Sequence, residues 1–246
     1  MARVLFGNIY SELKNRIVSG VYPKGTFLPS EQELTSSFGC SRMTVRKATS
    51  LLANEGLVQA IKGRGVRVIW DSKISPASED AFTVSGIQSF SESARAIGAT
   101  PSAQVVLLDH IECTEDVSWE SGLPKGEDLT RVHLLRFLDG HRVASDRHLF
   151  PTSEIPGIDE KVATSSLFRY IEQDLGITIS IAQRQVTVEA ATDRDRDLFG
   201  DECPDFFAVM RSYTYSSNGE QIEYVESRYI PKIFHFRDTA TRKPMP

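Results

Sequence analysis

Sulfur is scarce in this chain. Its three cysteines, Cys40, Cys113 and Cys203, stand far apart, and there is no Cys-x-x-Cys pair. Such a set excludes a disulfide framework and a thiolate zinc site, and fits reduced thiols in a cytoplasmic protein. No apolar run approaches the ~20 residues that a membrane helix needs. Residues 1–8 lack the apolar stretch and small-residue cleavage site of a signal peptide. Also missing are an HExxH helix, a GxSxG elbow, a P-loop and a Rossmann fingerprint. The five histidines, His110, His133, His141, His148 and His235, show no metal-ligand spacing. The reading is therefore of a protein that is not an enzyme and uses no cofactor, metal or membrane. No internal repeat is found.

What is present suits two modest domains: 246 residues, 40% of them hydrophobic. The net charge of −5 is unevenly spread. Residues 1–70 carry ten Lys/Arg against four Asp/Glu, a net +6, and the remainder carries a net −11. Only the first part is suited to meet a polyanion.

The order of signals in that basic third is informative. Phe6, Tyr10, Leu13 and Ile17 recur at helical spacing, and Gly20 follows the last of them. Ser30 with Glu33 three residues on is a capping box that opens a second helix, with Leu34 and Phe38 facing inward and Gly39 ending it. After a very short turn, Ser41 caps a third helix. Its Val45, Ala48 and Leu52 share one face, while Arg42, Arg46 and Thr49 lie opposite, flanked by Thr44 and Lys47. This is a helix-turn-helix whose second helix enters the major groove. Arginine's planar fork can bond guanine O6 and N7 together, worth about 1–3 kcal/mol of discrimination; lysine, serine and threonine suit phosphate oxygens. Residues 57–61 and 66–69 then read as two short strands joined by Lys62-Gly63-Arg64-Gly65, a wing with cations at its tip.

Residues 28–34, 41–48, 52–57 and 62–65 together resemble the GntR family of regulators. The resemblance implies a winged helix dimer on a pseudo-palindromic, double-stranded operator. It places Arg42, Thr44, Arg46 and Gly63 on the DNA, and the candidate contact set extends to Ser30, Gln32, Ser41, Lys47, Lys62 and Arg64. The sequence departs from many relatives at Gln32, where they carry Arg.

Residues 73–81 are polar and aperiodic and read as a linker between a DNA-binding domain at 1–72 and a second domain at 82–246. In the second domain, Ile87, Phe90, Ala94 and Ile97 suggest a helix ended by Gly98. Strands are expected near residues 103–108, 130–137, 143–149, 177–189, 206–215 and 221–230, with hairpin turns at Asp139-Gly140 and Asn218-Gly219. Residues 165–175 look helical, and Thr192 caps a short helix reaching Phe199. Many hairpins and few helices favour an antiparallel α+β fold. The run of alternating charge at residues 192–197 reads as a solvated helix start, and Glu223 and Glu226 as edge charges on a strand, with paired acid–base groups as the alternative.

This half resembles the UTRA ligand-sensing domain of the HutC branch, which has a chorismate-lyase-like α+β fold. The signposts are Phe90-Ser91, residues 136–140, Phe150-Pro151, residues 166–168, residues 188–191 and residues 223–229. The resemblance implies a dimerising domain with a pocket for a small anionic effector, such as a sugar phosphate, a phosphonate or a carboxylate from amino-acid catabolism. Carried over by position, Arg136 and Ser166 hold its acidic group, Ser91 adds hydrogen bonds, and Asp146, Glu223 and Tyr229 read its polar body. Leu134 and Phe168 depart from the Arg and Tyr of many amino-sugar-phosphate sensors. Residues 146–151 and 155–158 look closer to phosphonate-metabolism regulators. The expected activity is repression relieved by the effector. The rival readings are an activator, an enzyme with a DNA-binding head, and an architectural DNA-binding protein.

Overall fold

The computed structural model describes residues 2–71, 82–84, 86–236 and 240, with side chains left undescribed at 2–6 and 82–84. The linker reading at 73–81 and the side chain of Phe6 therefore lie outside the described residues. The chain forms two compact units, one within residues 1–79 and the other within 80–237.

In the first unit, α1 (Ala2–Val18), α2 (Glu31–Phe38) and α3 (Arg42–Asn54) precede a hairpin of β1 (Val58–Ile61) and β2 (Gly65–Val68). The capping box forms as the sequence demands. Glu33 N donates to Ser30 Oγ at 3.2 Å, and Ser30 N donates to Glu33 Oε2 at 2.7 Å. Gly39 closes α2 with φ 59°, a left-handed conformation that glycine adopts at little cost. Ser41 caps α3 through Thr44 N. Ile9, Leu13 and Ile17 supply the buried stripe of α1 and pack with Leu34, Val45, Ala48, Leu52 and Val68. Tyr10, expected inside, is only half-buried, and its hydroxyl donates to Glu55. Ile9 takes the inward place expected of Tyr10, while Leu13 and Ile17 lie where the spacing puts them. Phe27 bridges to Arg67 and extends the wing by a short third segment.

The second unit is an antiparallel sheet with short helices. Its elements are β3 (Phe82–Val84), α4 (Phe90–Ala96), β4 (Pro101–Glu112), α5 (Glu115–Ser121), β5 (Asp128–Leu138) and β6 (His141–Pro151). There follow α6 (Glu160–Thr164), α7 (Leu167–Arg169), β7 (Ile179–Ala190), α8 (Asp193–Phe199), β8 (Phe206–Ser216), β9 (Gln221–Tyr229) and β10 (Phe234–Phe236). Among the described residues, six strands pair in the order β4-β5-β6-β9-β8-β7. The chain leaves β6, forms β7 at the far edge and returns through β8, so β9 lands beside β6 in the middle. On one face Val132, Leu134, Phe150 and Ile222 meet Ile155, Ala163, Leu167 and Ile171. On the other, Leu135, Phe207 and Val209 meet Ala191 and Phe199. The expected helix at 165–175 is divided: α7 passes into a π-helical turn at Tyr170–Asp174. Residues 192–197 are not simply a solvated helix start. Asp195 is buried, closes the cap of α8 through Thr192, and accepts from Arg228 Nε at 3.0 Å. Glu223 is also no edge charge, since β9 is an inner strand and the side chain is 1% exposed.

Candidate functional site

Period-two alternation sends Arg136 of β5, Asp146 and His148 of β6, and Glu223, Ser227 and Tyr229 of β9 to the same face of the sheet. There they line a cavity with about 630 Å³ of atom-free space, open mouth included. Its other walls come from Phe90 and Ser91 at the start of α4, Ser165 and Ser166 before α7, and Arg184 on β7. All six residues expected to form an effector site (Ser91, Arg136, Asp146, Ser166, Glu223 and Tyr229) therefore converge on one pocket.

The polar network is specific. Arg136 Nε donates to Asp146 Oδ2 at 2.6 Å, and its guanidinium lies 5.3 Å above the Phe90 ring. Its Nη2 stands 3.5 Å from His148 Nε2. His148 Nδ1 lies 2.9 Å from Glu223 Oε1, and Thr214 donates to Glu223 Oε2 at 3.0 Å. An imidazole carrying its proton on Nδ1 satisfies both neighbours: it donates to the carboxylate and accepts from the guanidinium. The ring is stacked on Phe150 with an interplanar angle of 8°. Burial alone would raise the Asp146 carboxyl, but the Arg136 guanidinium, through its charge and its hydrogen bond, outweighs it and holds the group below its ordinary value. Burial, reinforced by Asp146, pushes the Tyr229 phenol well above its usual range, so it stays a neutral hydroxyl at physiological pH.

Two atoms in this pocket are buried with no hydrogen-bond partner, Asp146 Oδ1 and Arg184 Nε. Unmade hydrogen bonds at buried polar atoms cost about 1–3 kcal/mol each, more when charged. Desolvation lowers the pKa of the Arg184 guanidinium, partly offset by Tyr229 and Glu223. Arg184 was absent from the sequence reading because an arginine on an edge strand ordinarily faces solvent. Its alternation with Ala182, a second lining residue, was the available signal. His148 was likewise missed, although it stands two residues from Asp146 on the same strand face.

On the head, Arg42, Arg46 and Lys47 are exposed along α3, and Lys62, Gly63 and Arg64 form the exposed wing turn. Gly63 has φ 73°, which favours glycine there. Arg64 is not a free cation, since its guanidinium lies 5.6 Å over the Phe27 ring. Ser30 and Ser41 spend their side chains on caps, and Ser41 Oγ also lies 2.8 Å from Thr44 Oγ1. Gln32 is exposed on the first turn of α2.

A winged helix with a cationic exposed face, in one chain with a sheet domain holding a polar pocket, defines a ligand-responsive transcription factor. The chain belongs to the gntR family of bacterial regulatory proteins: that family's model matches residues 5–68, and the UTRA domain model matches residues 96–235. The HTH-type transcriptional regulator TreR of Bacillus subtilis is 33% identical over 96% of this chain and 97% of TreR. The transcriptional repressor NagR of the same organism is 31% identical over 92% of this chain and 90% of NagR. The solved effector-binding domain of the B. subtilis trehalose repressor TreR is 28% identical, with a TM-score of 0.52, covering 58% of this chain and 99% of that domain. The possible transcriptional regulator YydK of B. subtilis shares the fold, with a TM-score of 0.78 at 19% identity, covering 96% of this chain and 99% of that one. These relatives are regulators, and the chain is a DNA-binding transcriptional regulator with an effector-binding UTRA domain. No helix among the described residues is long and apolar enough to cross a membrane.

Proposed function

We propose that this regulator is a homodimeric repressor whose two heads grip a pseudo-palindromic operator through Arg42, Thr44, Arg46 and the wing, and that a small anionic metabolite in the pocket releases it. The observation that carries the effector reading is the unbonded pair in the cavity. Arg184 Nε needs an acceptor, and Asp146 Oδ1 needs a donor. A ligand with an anionic group and several hydroxyls meets both demands, which favours a sugar phosphate over a bare carboxylate. The sign of regulation is supported by the relatives named as repressors. Coupling of about 1–3 kcal/mol between pocket and operator suffices for the switch.

The test is competitive. A duplex selected from a random library by the purified chain is labelled, and its release is followed while sugar phosphates, phosphonates and carboxylates are titrated in. Release by a sugar phosphate, weakened at least tenfold in Arg184→Ala, is expected. Failure of all three classes to shift operator affinity removes the effector reading.

A further inference from the structure

The DNA-facing helix carries an acidic partner that the contact surface does not explain. Glu31 is the first residue of α2, and its Oε1 accepts from Arg46 Nε at 2.8 Å. The two side chains are 40% and 60% exposed, so neither is needed by the core. The capping role beside it belongs to Glu33 and Ser30, which leaves Glu31 free of that task. A carboxylate here also has a cost. It stands among the cations that would meet phosphates, where a negative charge repels DNA.

The geometry of the pair resolves this. Arginine can present two forks: one made by Nε with an Nη, the other by the two Nη groups. Bonding Nε to Glu31 commits the first and leaves the end-on fork of Nη1 and Nη2 to meet another partner. Two donors in that plane match O6 and N7 of guanine. The bond also ties the recognition helix to the helix before it, through a side chain that would otherwise sample many rotamers. We infer that Glu31 is a positioning residue for DNA reading: it holds the Arg46 guanidinium end-on to the major groove and so sets the preference for guanine at one operator position. This rests on Arg46 lying on the operator, as proposed above, and on its touching a base there rather than a phosphate.

The two ideas separate experimentally. Affinities of the full-length chain are measured by fluorescence anisotropy at fixed salt, for the library-selected duplex and for a random duplex of equal length. Glu31→Ala should lower selected-duplex affinity about fivefold to tenfold while random-duplex affinity holds or rises, because a negative charge is lost. The loss should concentrate on one base pair when each is substituted in turn. Glu31→Gln keeps an acceptor oxygen without the charge and should fall between Glu31→Ala and wild type. In an Arg46→Ala background, Glu31→Ala should no longer change the ratio of the two affinities. The positioning role is overturned if Glu31→Ala strengthens both duplexes equally, or if its effect on the ratio persists without Arg46. If Arg46→Ala by itself weakens both duplexes equally, Arg46 is a phosphate contact and the base-reading assignment fails first. Unchanged thermal melting of Glu31→Gln guards against a folding explanation.

Discussion

His133 shows how much one buried side chain can impose on this protein. It sits on β5, 3% exposed, and its Nδ1 accepts from the Arg194 guanidinium. Burial first, and the positive charge of Arg194 second, push its pKa down to about 4. The unfolded chain protonates an ordinary histidine near 6.5, so between pH 6.5 and 4 it binds more protons than the folded one. Stability contributed by keeping this ring neutral is complete above pH 6.5 and is lost as pH falls toward 4, by up to about 3 kcal/mol. Replacing His133 by Gln, which can accept from Arg194 without titrating, should flatten the fall in stability between pH 6.5 and 5. Urea unfolding at several pH values provides the check, and equal slopes for variant and wild type would refute the assignment. Nothing in the sequence marked this histidine, because its partner is 61 positions away on another element.

At the level of elements, the short helices are held by their caps and by single polar anchors. The strongest case is α8, where Asp195 closes the capping box with Thr192 and also receives Arg228 from β9. Asp195→Ala removes both functions and leaves Arg228 buried with part of its bonding lost. Destabilisation of about 3 kcal/mol is expected, read as a drop in the urea midpoint; a change under 1 kcal/mol would show that the other acceptors of Arg228, Glu189 Oε2 at 3.2 Å and the Ala190 carbonyl at 3.0 Å, suffice. Caps and turns of this kind were legible in the sequence because they are local. Ser30, Glu33, Gly39 and Ser41 set their helix ends by chemistry within four residues, and Asp139-Gly140 fixed a hairpin. The strands were also legible from alternation, though β4, β5 and β6 run past the expected ends on both sides, since strand ends depend on neighbours. What could not be read was order across the sheet. Period two placed Asp146 with His148 and Glu223 with Ser227, but only the return of β9 beside β6 brings those pairs face to face. The inward turn of Arg184 depends on the same topology.

On the scale of the whole molecule, the division of charge separates two tasks. The first 70 residues are net +6 and the rest net −11, so electrostatic attraction to a polyanion belongs to the head, and the remainder opposes non-specific binding. Binding of the full chain to a random duplex should therefore weaken steeply with salt. Lys62→Ala should reduce the log–log salt slope by about 1 and do so on any sequence, as a phosphate contact requires. A loss confined to the selected duplex would instead make Lys62 a base contact.

The small parallel ladder of β3 with β10 gives the pocket a mechanical meaning. Phe82–Val84 stands a few residues before the pocket wall at Phe90 and Ser91, and Phe234–Phe236 stands a few residues after Tyr229, whose ring lies 4.9 Å from that of Phe234. The two strands of chain that leave the cavity are thus stitched together within a handful of residues, on the covalent route that runs back to the head. Phe90 and Tyr229 line one cavity, so the ladder clasps the two chain segments that hold its walls, like the hinge of a locket.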